Sequence, residues 1–101
     1  MKLELLHWSE SATPEERALR TRLESDGFEA FRWTDQPNAS YTPHSHDHDE
    51  SLWCVAGLIT FGIGGREYSL GPGDRLMLPR GTVHTAKVGA EGATYLIGQR
   101  A

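Results

Sequence analysis

From residue 27 onward, turn-forming residues interrupt the chain at intervals too short for a long helix. Gly27, Asp35-Gln36-Pro37-Asn38, Gly57, Gly64-Gly65, Gly71-Pro72-Gly73-Asp74 and Pro79-Arg80-Gly81 divide it into brief segments. Those segments alternate apolar and polar residues or run apolar for a few positions, the pattern of strands. Strands are expected over 28–33, 41–46, 52–61, 66–70, 75–78, 83–88 and 94–98. Gly57 lies inside the longest of these, where a bulge or sharp bend is expected, and Gly64-Gly65 reads as a hairpin turn. Eleven glycines among 101 residues, with only 38% hydrophobic content, agree with many tight turns. The fold class is therefore all-β, a sandwich or barrel.

One helix precedes the strands. Thr13 offers an N-cap hydroxyl, Pro14 suits the first helical position, and Glu16 stands three residues after the cap. Leu19 and Leu23 share a face, and Gly27 can close the last turn in a left-handed conformation. The spacing predicts a helix over 14–26, lying against the outside of the sheet. Residues 1–27 then form an N-terminal extension and residues 28–101 the barrel of a one-domain chain. A domain of this length buries about two-thirds of its unfolded surface, so its core is thin and a homodimer is expected.

Ten basic and fourteen acidic residues give a net charge of -4, and no stretch concentrates Lys and Arg. That excludes a nucleic-acid backbone as the expected partner. The first residues are too short and too acidic a run for a signal peptide, and no apolar run approaches the length of a bilayer span. The single cysteine, Cys54, cannot form an intrachain disulfide, which fits a reducing compartment. The expectation is a soluble cytoplasmic protein that binds a small-molecule ligand or substrate, without nucleic-acid or membrane partners.

The chemistry concentrates in the histidines. His44-Ser45-His46-Asp47-His48 holds three of the five, and on an extended strand His44 and His46 point to the same face. Glu50 follows closely, and His84 comes after the Pro79-Arg80-Gly81 turn. Neutral imidazoles with one carboxylate suit one divalent transition metal ion, whether Fe, Mn, Ni, Zn, Co or Cu. With three ligands from one segment and a distant fourth, coordination positions can stay open for water or substrate.

The segment His44-x-His46-x3-Glu50-x6-Gly57 resembles the first signature of the cupin superfamily, and Gly73-x5-Pro79-x-Gly81-x2-His84 resembles the second. The short separation between them is similar to that of small single-domain bacterial cupins, and the resemblance covers roughly residues 28–99. It implies a double-stranded β-helix, or jelly-roll barrel, often dimeric, with His44, His46, Glu50 and His84 as metal ligands. Two positions depart from the pattern. Asn38 replaces the glycine expected before the first histidine, and Asn tolerates the left-handed conformation best after Gly. Val88 replaces an asparagine expected after the last histidine.

Strand parity makes Tyr41, Leu52, Met77 and Tyr95 candidate cavity walls, with His48 at the barrel mouth and Cys54 facing the interior as an inert thiol. Trp53 should point away from the cavity, toward the helix or a dimer contact. Arg75 and Arg80 flank the second signature and read as solvated or as anchors for an anionic substrate, and His7 as a surface residue. The leading functional reading is a small metalloenzyme, dioxygenase-like or isomerase-like, acting on a small organic molecule, with no catalytic residue assigned beyond the ligands. The other is a non-catalytic metal- or ligand-binding module with a structural or sensing role.

Overall fold

Two long antiparallel strands, β4 (Asp49–Ile63) and β7 (His84–Arg100), organise the molecule's single seven-stranded sheet, and each runs through both of its layers; the computed structural model describes residues 1–101. The shorter strands are β1 (Glu4–Leu6), β2 (Glu29–Asp35), β3 (Ser40–His44), β5 (Arg66–Leu70) and β6 (Arg75–Leu78), with one helix, α1 (Glu16–Ser25). The first half of β4 pairs with β6 and with the second half of β7. From Ile59 onward β4 pairs with β5 and with the beginning of β7. β1 extends the first layer beyond β6, β2 closes its other side on β7, and β3 flanks β7 in the second layer. The result is a jelly-roll barrel of two antiparallel layers sharing β4 and β7.

The change of layer occurs at glycines. Register shifts fall between Cys54 and Ala56 and between Gly57 and Ile59. Gly57 and Gly92 both have φ +80°, and a Cβ on Gly57 would overlap the Gly92 carbonyl oxygen. Only glycine permits both that conformation and that approach. The segments expected at 83–88 and 94–98 are thus one strand, bent near Gly92 rather than broken by a loop. Gly64 and Gly65, at φ +57° and +80°, make the predicted hairpin turn, and Asn38 adopts φ +62°, the left-handed conformation its amide side chain tolerates.

Apolar residues separate into two cores. Inside the barrel lie Leu52, Cys54, Ile59, Phe61, Leu70, Leu76, Leu78, Val88 and Tyr95. Outside the first layer, Leu19 and Leu23 of α1 pack on Phe28, Ala30 and Leu96, with Trp8, Trp53, Val55 and Met77 around them. Each fully buried leucine in such a cluster contributes about 1.5–3 kcal/mol. α1 begins two residues later than expected: Glu15, not Thr13, is the cap residue and its side chain makes no capping bond. Its C-terminus does follow the sequence. Gly27 has φ +91°, its N–H donates to the Glu24 carbonyl, and the Phe28 N–H donates to the Leu23 carbonyl.

Arg75 is neither solvated nor directed toward a substrate. It is buried beneath α1, where Nε donates to Ser51 Oγ at 2.6 Å and Nη1 donates to Asp26 Oδ2 at 3.0 Å. Its guanidinium also lies 4.6 Å from the Trp53 ring. This fastens the end of α1 to the sheet. No helix is long and apolar enough to cross a membrane.

Gly57→Ala and Gly65→Ala place the same methyl on the same φ, but only the first meets neighbouring backbone. In urea unfolding, Gly65→Ala should cost about 1–2 kcal/mol, the left-handed penalty alone. Gly57→Ala should cost at least about 2 kcal/mol more, or prevent folding.

Candidate metal centre

The end of β3 and the start of β7 meet at His44 and His84, which stand opposite each other in register. Their rings lie 4.2 Å apart, and the His46 ring sits 5.0 Å from His44 and 5.3 Å from His84. The loop carrying His84 is tied to the loop carrying His46, because the Gly81 N–H donates to the His46 carbonyl at 2.8 Å. Next to it, the Arg80 N–H donates to Asp49 Oδ1 at 2.9 Å. Gly81 turns at φ +76°, so the Pro79-Arg80-Gly81 turn aims His84 as its position in the sequence suggested.

The hydrogen bonds of His44 and His84 fix their tautomers. His44 Nδ1 lies 2.7 Å from the Thr42 carbonyl, and His84 Nδ1 lies 2.9 Å from the Thr82 carbonyl. A carbonyl only accepts, so each Nδ1 carries the proton and each Nε2 keeps its lone pair. Burial holds the pKa of His84 below the ordinary histidine value despite the Thr82 carbonyl, and His44 and His46 lower it further. A neutral imidazole with a free Nε2 is a metal donor.

Glu50, buried at the start of β4, is joined to this cluster through His46, whose Nε2 lies 3.6 Å from Glu50 Oε1. The donor atoms form two overlapping groups, each within 4.8 Å: His44, His46 and His84, and His46, His48 and Glu50. All four sequence-selected residues line one cavity, but Glu50 groups with His46 and His48 rather than with His44 and His84. His48 is not among the residues that line the cavity. It lies on the bend before β4 and turns toward Glu50, with Nε2 3.1 Å from Oε2 and Nδ1 3.2 Å from Asp47 Oδ1. Burial opposes its charged form, but Glu50 and Asp47 outweigh that and raise its pKa.

Beside the imidazoles opens a cavity of about 250 Å³, lined by Tyr41, His44, His46, Glu50, His84 and Gln99 and by the apolar side chains of Leu52, Ile59, Phe61, Tyr95 and Ile97. Tyr41, Leu52 and Tyr95 take the places that parity gave them. Met77 does not: Leu76 and Leu78 face inward, so Met77 lies on the outer face, where Ser51 Oγ donates to its sulfur at 3.3 Å. Cys54 faces the interior yet lies below the cavity, fully buried, and burial pushes its thiol up to about 11. Trp53 packs outward beneath α1, and its Nε1 donates to the Gly73 carbonyl. His7 is exposed, 3.5 Å from Asp74.

Sequence reasoning missed Asp35, which it placed in a loop. Asp35 is the last residue of β2, buried, and accepts from the hydroxyls of Tyr41 and Tyr95 (2.6 Å for Tyr95) and from Trp33 Nε1 at 2.9 Å. Burial and the Asp35 bond both raise the pKa of Tyr41, and burial with Asp35 raises that of Tyr95 further. The available signal was its parity with Trp33 just ahead of Pro37.

The chain belongs to the cupin family, whose cupin-domain model matches residues 31–97. Among solved structures it is similar to a protein of unknown function from Rhizobium leguminosarum bv. viciae 3841, with TM-score 0.67, 19% identity, and coverage of 72% of this chain and 69% of that one. It is also similar to the DMSP lyase DddQ from Ruegeria pomeroyi DSS-3, with TM-score 0.67 and 25% identity, covering 73% of this chain and 38% of the lyase. A third similar structure is KdgF from Halomonas sp., with TM-score 0.60 and 27% identity, covering 73% of this chain and 71% of KdgF. Curated proteins give no sequence match.

Two outcomes follow for the metal-free chain. As pH falls through the ordinary histidine value of 6.5, the unfolded chain takes a proton that native His84 resists, so His84 lowers acid-side stability. His48, with its raised folded pKa, does the opposite: its contribution is complete below 6.5 and lost as pH rises through the folded value. In urea titrations between pH 7 and 5, His84→Gln should flatten the acid-side loss of stability and His48→Gln should steepen it. Cys54 should stay unreactive toward Ellman's reagent at pH 8 in the native chain and react fully in denaturant.

Proposed function

We propose that this chain is a small metal-dependent enzyme, dioxygenase-like or isomerase-like, that converts a small organic molecule at a site formed by His44, His46, Glu50 and His84. The observation that carries this reading is the pair of Nδ1 protons held by the Thr42 and Thr82 carbonyls, which frees both Nε2 lone pairs beside an open cavity. The donor set fits a divalent transition metal and does not choose among Fe, Mn, Ni, Zn, Co and Cu. When bound, such an ion supplies Lewis acidity or an oxygen-binding centre at the polar end of the cavity. Glu50 supplies the negative charge that complements it, and its contact with His48 holds the carboxylate in place. Leu52, Ile59, Phe61 and Ile97 exclude water and orient the substrate.

The cavity counts against a purely structural ion, which needs no apolar chamber beside it. The likeness to a lyase supports a catalytic reading without transferring its substrate, since this chain spans only 38% of that protein. A cytoplasmic homodimer is part of the proposal; exposed Phe31 and Trp33 on the edge strand β2 support the dimer.

Dialysed protein should take up about one equivalent of a divalent metal per chain. At a hundredfold excess over Kd this adds about 2.7 kcal/mol of stability, which shifts the Tm of a domain this size by roughly 10 °C or more. His44→Ala and His84→Ala should abolish uptake and shift, and His7→Ala should change neither. Reconstitution with Fe(II) or Mn(II) should then give turnover on a carbonyl or catechol-like compound. No turnover across a broad panel, with each metal verified as bound, would defeat the enzymatic reading; no uptake would defeat the metal centre itself.

A further inference from the structure

The metal-centred reading uses one end of the cavity and leaves a second polar feature unexplained. Asp35 is only 7% exposed, yet it has no Lys, Arg or His partner. Its carboxylate is held entirely by neutral donors, the Tyr41 and Tyr95 hydroxyls and the Trp33 indole N–H. Neutral donors satisfy its lone pairs without cancelling its charge, and a buried charge acts strongly on its surroundings.

All three aromatic donors also line the cavity. With their hydrogens committed to Asp35, Tyr41 and Tyr95 have only oxygen lone pairs left to offer, and donating to an anion strengthens those oxygens as acceptors. The burial that favours the neutral phenols keeps this polarity in place. No Lys or Arg lines the cavity, and its one amide side chain, Gln99, stands opposite Glu50 at the imidazole end.

We infer that the Asp35–Tyr41–Tyr95 wall is a hydrogen-bond-accepting subsite. It selects a small ligand that carries a hydroxyl or ammonium donor and turns away one that brings a second negative charge. This rests on the metal-centred reading for the ligand's other end, where a carboxylate or similar oxygen group would meet the ion. At about 250 Å³ the chamber is smaller than the usual drug-sized pocket, so the ligand is a small metabolite.

The test uses flexible chains that share a carboxylate and differ at the far end: butyrate, 4-hydroxybutyrate, 4-aminobutyrate and glutarate, titrated calorimetrically into the zinc-loaded full chain. One added hydrogen bond corresponds to roughly fivefold in affinity. The hydroxy and amino acids should bind about fivefold or more tighter than butyrate, and glutarate weaker than butyrate. In Tyr41→Phe and Tyr95→Phe the hydroxyl preference should fall to near unity while butyrate affinity is unchanged, a split that a merely structural network would not produce. Asp35→Asn should lose the discrimination against glutarate. If that variant does not fold, Tyr41→Phe, at a half-buried position, still decides the matter.

Equal binding of all four acids overturns the subsite, as does binding of none by a chain with zinc verified as bound. A hydroxyl preference that survives both Phe variants also overturns it. Failure to retain zinc overturns the metal reading alone. The zinc-free chain then decides the subsite with n-butylamine at millimolar concentration. Thermal stabilisation that Tyr41→Phe removes supports the subsite, and no stabilisation of the wild-type chain overturns it.

Discussion

The close passage of Gly57 against Gly92 is the contact on which the architecture depends. β4 and β7 must leave one layer and enter the other at the same level, and two chains can bend there only if neither carries a Cβ. Because both strands cross over, each layer inherits half of each strand. The interior face of one layer then lies over that of the other, and Leu52 and Tyr95 share a core with Phe61 and Val88. The cavity is what remains where that core stops short of the imidazoles.

The site depends on a second constraint, the fastening of two distant loops. His46 and His84 are far apart in sequence, yet the Gly81 N–H to His46 carbonyl bond and the Arg80 N–H to Asp49 bond make their loops one unit. The strand register supplies His44 opposite His84, and the start of β4 supplies Glu50. Backbone pairing and loop hydrogen bonds thus place the donor-bearing residues, and the Glu50 carboxylate is held in addition by His48.

What the sequence revealed follows from how local each signal is. The turn glycines and strand alternation identified β2, β5 and β6 closely but carried β3 past its end at His44, leaving His46 off the strand, and began β4 three residues late; signature spacing brought out His44, His46, Glu50 and His84. Parity indicates which face a residue takes but not how deep it lies, so Cys54 faced inward as expected and still fell below the cavity. In the apolar run Leu76-Met77-Leu78 parity has no polar residue to anchor it, and Met77 was assigned to the wrong face. β1 is three residues long, too short to show a period, and forms only because β6 offers it an edge. Asp35 escaped because its role arises from Tyr41 and Tyr95 approaching it from two other strands, a meeting that only the register of β2 and β3 on β7 creates.

A chamber with Glu50 in its wall, Asp35 behind the Tyr41 and Tyr95 hydroxyls and no lining Lys or Arg imposes an order of arrival on anionic guests. An anionic molecule offered to the empty chain meets two buried carboxylates and a repulsive field. The same molecule offered after a divalent cation has bound meets an attractive one. Under the metal-centred reading, then, an anionic guest arrives after the ion, and its stay is bounded by the residence time of the ion.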